Sequence, residues 1–198
     1  MIYKIYKLDS NEALCIFLGF IFIITIFTAV ANYYSRKKEH FRRMDEAKTA
    51  IKTMFAEKSD ERIVVFFTAY VRRRYDYIQV YFLNQTIGKV SDGLSLVLSI
   101  ATLSIVATQT GVAWSSTIIS VLAIVFVIIS IYVAPIKRAK QYLEVWRECD
   151  KNITLLLSMD VNKKIVVCDE RVMDINEFIS YCANSLANGE NGITTDAE

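Results

Sequence analysis

Hydrophobic positions in this chain of 198 residues are concentrated in two long stretches without charge. The longer stretch runs from Gly93 to Ile136, 44 residues without Asp, Glu, Lys or Arg, and has a polar break at Thr108–Thr117. A membrane-spanning helix needs about 20 mostly apolar residues. Two such helices and a tight turn fill this length. The pattern therefore predicts a transmembrane hairpin of Leu94–Thr110 and Thr117–Pro135, joined around Trp114.

The second uncharged stretch, Ala13–Ala31, has 19 residues and lies near the N-terminus. At the rise of an α-helix it is about 28 Å long, which matches the hydrocarbon core of a bilayer. Ala29-Val30-Ala31 resembles a signal-peptidase site. However, most of the nearby basic residues follow the stretch, as in an anchor inserted with its N-terminus outside. We therefore expect three transmembrane helices, or spans.

The distribution of basic residues predicts the orientation of the spans. Residues 35–92 contain 13 Lys and Arg, and the turn Gly111–Ser116 contains none. Because basic loops are retained in the cytoplasm, we expect a multi-pass membrane protein with its N-terminus outside and its C-terminus in the cytoplasm. The basic residues that flank the spans and are expected to meet lipid headgroups are Arg36, Lys37, Lys38, Lys137 and Arg138.

These patterns predict an all-α membrane protein with cytoplasmic helices and a small C-terminal α or α+β segment. Its expected parts are an N-terminal anchor (1–34), a cytoplasmic helical region (35–92), the hairpin (93–136), a cytoplasmic C-terminal region (137–187) and a disordered tail (188–198).

Finer boundaries follow from capping and turn residues. Residues 35–92 are expected to form two helices separated at Ser59-Asp60-Glu61, and Gly88 with Ser91-Asp92-Gly93 is expected to end the second. Ser91 or Asp92 would then cap the helix that enters the membrane. The elements predicted after the hairpin are a helix at Ile136–Met159, a strand at Lys163–Cys168 and a short helix at Ile175–Leu186 capped by Asp174.

Few residues suggest catalysis. The single histidine, His40, has no Cys or acidic neighbours at metal-ligand spacing and is expected on a solvated surface. The sequence contains no phosphate-binding glycine loop, no G-x-S-x-G and no H-E-x-x-H. The four scattered cysteines are expected to be unpaired apolar residues in a reducing compartment. We therefore expect no enzyme activity, no metal and no cofactor.

Small and hydroxyl-bearing residues repeat along one face of each hairpin span. Such residues allow helices to approach closely, and their hydroxyls can bond across the contact, so the two faces could pack together. Alternatively, the face of the second span lines an aqueous path, which requires an oligomer because one hairpin is too thin to enclose water. The face residues are Ser95, Ser99, Thr102 and Gln109 on the second span, and Ser120, Ala123, Ser130 and Ala134 on the third.

Three consecutive arginines, Arg72, Arg73 and Arg74, precede the second span by about 20 residues. Two interpretations are open. In one, the arginines contact lipid or form internal ion pairs. In the other, they bind an acidic protein or a nucleic acid in the cytoplasm.

The region from Arg62 to Glu148 resembles the SLATT family, two-transmembrane effector domains associated with SMODS nucleotidyltransferases and SLOG sensors in bacterial conflict systems. The resemblance comprises the helix YVRRRYDYIQVYFLNQTIGKVSDG, the Ser/Thr-bearing hairpin and the following basic helix APIKRAKQYLEVWRE. The N-terminal span is an addition to the two-span pattern of that family.

This resemblance implies a membrane effector of phage defence that assembles to perforate or depolarise the inner membrane and halts the infected cell. It also implies a separate sensor, either a nucleotide-signal system or a retron reverse transcriptase with its DNA. An inhibitory complex with this sensor would engage the cytoplasmic arginines. The alternative is a membrane-anchored adaptor that docks a cytoplasmic partner and does not conduct.

Overall fold

The structure, a computed structural model, describes residues 10–56, 61–107 and 113–195. Its elements are α1 (Ser10–Phe55), α2 (Glu61–Ala107), α3 (Ala113–Ile128), a π turn (Ile129–Val133), α4 (Pro135–Leu157), β1 (Ile165–Cys168), β2 (Arg171–Asp174) and α5 (Ile175–Thr195). Within the described ranges, three helical segments are long and apolar enough to cross a membrane. The predicted fold class is confirmed: a mainly helical chain with three candidate spans and a small C-terminal α+β segment.

The described chain divides into two compact units. The apolar unit contains the residues up to Tyr34 together with Asn84–Ile136, so it holds the first part of α1, the last part of α2, and α3 with the π turn. The charged unit contains Ser35–Leu83 and the residues from Lys137 onward. It therefore holds the remainder of α1 and α2, almost all of α4, the β-hairpin and α5.

Helices α1 and α2 are each continuous, whereas the sequence predicted a helix break before the second span. The break predicted at Gly88 and Ser91-Asp92-Gly93 is wrong, because tertiary packing uses these small residues inside a helix. Ser91 is buried. A Cβ placed on Gly88 would lie 2.5 Å from Cγ1 of Ile136, so glycine here permits a close contact with the start of α4.

The predicted separation of the two cytoplasmic helices agrees with the structure, since α1 ends at Phe55 and α2 begins at Glu61. The proposed break residues Ser59 and Asp60 lie outside the described residues. Likewise, part of the predicted hairpin turn lies outside them, and α3 already begins at Ala113.

The third span ends in a local distortion. After the π turn, Ala134 adopts a left-handed conformation with φ 43° and ψ 50°, and Pro135 begins α4. Proline suits the first position of a helix because the amide hydrogen it lacks has no partner there. The helix predicted at Ile136–Met159 is confirmed as α4, with ends shifted by one or two residues.

The core of the charged unit combines aromatic and aliphatic side chains from its helices with the inner face of the β-hairpin. Phe67 on α2 stacks on Phe178 on α5, with ring centroids 6.1 Å apart, and both rings are fully buried. In the antiparallel hairpin, Val166 of β1 lies opposite Met173 of β2, and both are buried. The strand predicted at Lys163–Cys168 is confirmed as β1, whereas β2 was not predicted.

The C-terminal helix is longer than predicted. Asp174 caps it as expected, because its Oδ1 accepts the amides of Asn176 at 2.8 Å and Glu177 at 2.9 Å. However, α5 continues to Thr195. The disordered tail predicted at 188–198 is therefore wrong for residues 188–195, and residues 196–198 lie outside the described residues. Long-range contacts of Glu190 account for the difference, as shown below.

Candidate functional site

The hydroxyl-bearing face of α2 bonds to its own backbone. Ser99 Oγ donates to the carbonyl oxygen of Ser95 at 2.7 Å, and Thr102 Oγ1 donates to that of Leu98 at 3.0 Å. A hydroxyl has one donor hydrogen, so neither side chain donates to another helix. Ser95, Ser99 and Thr102 are all half-buried. Gln109, the fourth residue predicted for this face, lies outside the described residues.

The corresponding residues of the third span play different structural parts. Ala123 is buried, and Ser120 is half-buried. Ser130, in the π turn, donates its hydroxyl to Oδ1 of Asp92 on α2 at 2.6 Å, which connects the two spans directly. Ala134 is the left-handed residue that follows the turn.

Sequence reasoning assigned the wrong role to Asp92. It is the only acidic residue between Asn84 and Ile136 and was expected as a possible helix cap. In the structure it lies inside α2 and accepts the hydroxyl of Ser130. Its position at the edge of an uncharged stretch is the one signal in the sequence that marks it.

The membrane-type helices bury little of their apolar surface within the chain. In their most apolar 18-residue stretches, 0%, 22% and 6% of the residues are buried in the first, second and third candidate span. An open apolar groove of about 350 Å³ lies among the three. Its lining comprises Leu18, Gly19, Phe22, Leu94, Val97, Leu98, Ile119, Leu122 and Phe126. The structure thus leaves these helices with large apolar surfaces available to lipid or to other helices.

Two of the three predicted contact arginines form internal ion pairs. Arg73 lies 2.5 Å from Oε1 of Glu190 on α5, which also accepts the hydroxyl of Tyr77. The carboxylate of Glu190 raises the pKa of Arg73. The pKa of Tyr77 is raised as well, mainly because its hydroxyl is buried and secondly because of Glu190. Arg74 pairs with Asp150 on α4 at 3.2 Å and is largely buried.

Arg72 differs from its two neighbours in its ion pairing. It is exposed, as Arg73 is, but no ion pair involving Arg72 is found among the described side chains. Of the three arginines, it is therefore the one most accessible to a partner or a lipid headgroup.

The basic residues predicted to flank the spans are mostly exposed. Lys38 and Arg138 face solvent, as do Arg36 and Lys137, whereas Lys37 is half-buried. The guanidinium of Arg36 also lies over the ring of Phe82, 5.2 Å from its centroid, a cation–π contact.

His40 is not on a solvated surface, so that prediction is wrong. Its ring lies 5.2 Å from the ring of Phe82 and meets Trp146 edge-on at 6.3 Å, because α1 packs here against aromatic residues of α2 and α4. The pKa of His40 is lowered, mainly because the ring is partly buried and secondly because of the positive charge of Arg43.

Three cysteines, Cys149, Cys168 and Cys182, are free thiols in the core of the charged unit. Burial raises the pKa of Cys149 to about 11 and that of Cys182 to about 12. Such thiols are poor nucleophiles at neutral pH because the thiolate is the reactive form. In the part of the chain that the structure describes, no group of three or more His, Cys, Asp or Glu could hold a metal ion.

No family model, no curated protein and no solved structure matches this chain. The resemblance to the SLATT family accordingly stays a prediction from the residue pattern.

Proposed function

We propose that this protein is a multi-pass membrane effector of a bacterial antiphage system. It would oligomerise and permeabilise or depolarise the inner membrane when a separate sensor is triggered. The infected cell would then stop growing, and the infection would end with it. The observation that carries the proposal is the set of three long apolar helices whose surfaces are so little buried within one chain. The N-outside, C-inside orientation follows from the 13 Lys and Arg in residues 35–92.

The exposed apolar surface of the three spans supports the assembly of several copies in the membrane. Soluble monomers rarely expose contiguous apolar patches larger than a few hundred Å². Here Phe27 of the first span, Leu103 of the second and Ile131 of the third are each more than 60% exposed. Lipid covers such residues without penalty, and small residues on the same helices allow spans of neighbouring copies to pack closely.

The proposed path follows the face of the second span that carries Ser95, Ser99, Thr102 and Gln109. Hydroxyls that bond to their own helix keep oxygen lone pairs available to water. The spans place no charged side chain in the 44-residue stretch from Gly93 to Ile136. We therefore expect weak ion selectivity, since selective pores generally use rings of charges or carbonyls.

The sensor would engage the charged unit. A nucleotide-signal system and a retron reverse transcriptase with its DNA are the two sensor classes that the family resemblance suggests. Exposed Arg72 is the arginine best placed to contact an acidic protein or nucleic acid. The basic residues Arg36, Lys38 and Arg138 would instead contact anionic lipid headgroups.

The test is whether expression changes the membrane itself. Induction of the protein should collapse membrane potential and admit a dye. The variant Ser99→Leu with Thr102→Leu should relieve this effect while still inserting. Thr25→Leu is the matched control, because Thr25 makes the same kind of bond to its own helix, 2.8 Å to the carbonyl of Ile21, on a different span. Unchanged potential and dye exclusion in cells that contain the inserted, triggered protein would refute the proposal.

The second candidate is a membrane-anchored adaptor that docks a cytoplasmic partner and does not conduct. The charged unit favours it, because this unit has a buried core of its own, in which Phe67 stacks on Phe178. Replacing the three spans with unrelated apolar helices of equal length distinguishes the candidates. An adaptor keeps its activity after this exchange, whereas a membrane-permeabilising effector loses it.

A further inference from the structure

The end of the third span contains a backbone conformation that its residue type disfavours. Ala134 has φ 43° and ψ 50°, in the left-handed region that glycine adopts readily and alanine does not. The following Pro135 further restricts the residue before it toward extended conformations. Such a conformation persists only where surrounding contacts hold it, and it often marks a functional position.

The π turn Ile129–Val133 lies directly before this residue. π turns are rare, use i→i+5 hydrogen bonds and occur mostly as single turns inside α-helices, frequently at functional sites. They hold one more residue per hydrogen-bonded ring than an α turn. Returning this segment to α spacing would therefore rotate α3 by about one residue, or about 100°, and shift it by about 1.5 Å along its axis.

Two contacts with α2 lie on either side of Ala134 in the sequence. Before Ala134, Ser130 donates its hydroxyl to Asp92 at 2.6 Å. After it, Ile136 packs so closely on Gly88 that a Cβ there would be 2.5 Å from Ile136 Cγ1. The second contact fixes Ile136 against α2, so a change in the π turn would move α3 relative to α2 and to Ile136.

The structure also provides space for such a movement. The groove of about 350 Å³ is lined on one side by Ile119, Leu122 and Phe126 of α3. Several other α3 residues, including Ile118 and Ile124, are more than half exposed. Helix α3 is therefore not enclosed in a close-packed core, in which a rotation would be blocked.

We infer that the π turn with Ala134 is a two-position joint, held in the position seen here by the hydrogen bond between Ser130 and Asp92. Rotation of α3 at this joint changes which of its faces lines the apolar groove beside Leu94, Val97 and Leu98 of α2. The inference rests on the proposed function in one respect, because it supplies the regulation of how the spans pack. The joint itself is a property of the purified chain and is tested as such.

The test measures the distance between α2 and α3 in the full chain reconstituted in lipid nanodiscs. Spin labels are attached through ketone-bearing amino acids at Leu103 and Ile118, two exposed positions, so that the native cysteines remain unchanged. Rotation by about 100° moves a side-chain tip about 5 Å from the helix axis by about 8 Å. We expect one main distance in the wild type and a second one, shifted by several ångströms, in Ser130→Ala.

Further variants separate the joint from simple loss of stability. Ser130→Thr retains the hydroxyl and should restore the wild-type distance. Ala134→Val, whose branched side chain disfavours the left-handed region, should also populate the second distance, whereas Ala134→Gly should not. Ser99→Ala is the matched control, because that hydroxyl bonds only within its own helix. Its distance distribution should be that of the wild type.

Identical distributions in the wild type, Ser130→Ala and Ala134→Val would overturn the joint. The distances do not depend on whether the protein permeabilises membranes. Shifted distances in variants that leave membrane potential unaffected would support the joint and count against the proposed function. Unshifted distances in a protein that does depolarise cells would overturn the joint and support the proposed function.

Discussion

Removing the carboxylate of Glu190 should release the last two turns of α5 from the charged unit. This side chain accepts a hydrogen bond from Tyr77 and forms an ion pair with Arg73, both on α2. The surrounding sequence, NGENGITT, contains two glycines and has little helical preference of its own. The contacts of Glu190 therefore account for much of the order of this segment. In Glu190→Ala, we expect local opening of residues 188–195, with the rest of the unit intact.

The magnitude follows from the exposure of the partners. The side chains of Arg73 and Glu190 are 56% and 40% exposed, and exposed ion pairs contribute about 0.2–1 kcal/mol. The hydrogen bond from half-buried Tyr77 to a charged acceptor adds about 1 kcal/mol or somewhat more. A total of about 1–2 kcal/mol increases the opening equilibrium roughly 5- to 30-fold. Glu190→Gln, which keeps an acceptor oxygen, should lose about half of this free energy.

Hydrogen–deuterium exchange of the amides of α5 is the appropriate assay, because it reports local opening. Exchange at residues 188–195 should accelerate in Glu190→Ala, while exchange near Phe178 stays slow. Asn184→Ala, an exposed substitution on the same helix, serves as the control and should leave the pattern unchanged. The reasoning is refuted if Glu190→Ala exchanges like the wild type. It is also refuted if the wild-type segment already exchanges as fast as an unfolded peptide.

Three further predictions concern the stability of the charged unit. Burial and Arg43 lower the pKa of His40 in the folded state, so on acidification the imidazole takes up a proton more readily in the unfolded state. Thermal stability should therefore fall as the pH drops below about 6.5. A His40→Gln variant whose melting temperature still falls equally would contradict this. Burial raises the pKa of Cys149 and Cys182 to about 11 and about 12, so the unfolded thiols ionise first above about pH 9. Stability should then fall by about 1 kcal/mol per thiol at pH 10, and Cys182→Ala should remove its share of this slope in thermal melts. Finally, Phe178→Ala should destabilise the unit by about 3–5 kcal/mol in denaturant titrations. The control is Val172→Ala at an exposed strand position, which should change stability by less than about 0.5 kcal/mol.

The long helices could be predicted because their signal is local. Stretches without charge and of bilayer length predict helices whatever surrounds them, and three candidate spans appear where Ala13–Ala31 and Gly93–Ile136 indicate them. The cap at Asp174 was predictable for the same reason, since a side-chain oxygen accepting nearby amides needs only the neighbouring backbone.

Features that depend on distant contacts were not predictable. Gly88 and Gly93 resemble a turn by composition, and only the approach of Ile136 to Gly88 shows why a continuous helix uses glycine there. The tail beyond Asn188 resembles disorder, and the partners of Glu190 that order it lie 113 and 117 positions away in the sequence. Similarly, His40 has a polar sequence environment but an aromatic spatial one.

The candidate membrane site shows the same limit in its chemistry. The periodicity of Ser95, Ser99 and Thr102 placed them on one face, but it could not tell where their hydroxyls donate. In the structure, the hydroxyls of Ser99 and Thr102 donate to carbonyls of their own helix. An interhelical hydrogen bond among the described residues comes instead from Ser130 to Asp92, a pair separated by 38 positions that no local pattern connects.

This hydrogen bonding explains why composition alone does not decide between a conducting face and a packing face. An unsatisfied donor would carry a large penalty in lipid, which would force a polar face toward water or toward another helix. Once Ser99 and Thr102 donate to their own backbone, that penalty is largely removed, and only acceptor lone pairs remain to distinguish the environments. Such a face is then compatible with lipid and with water alike. This property is compatible with the proposed effector, and replacing the hydroxyls of Ser99 and Thr102 with leucine should impair the proposed permeabilisation far more than insertion.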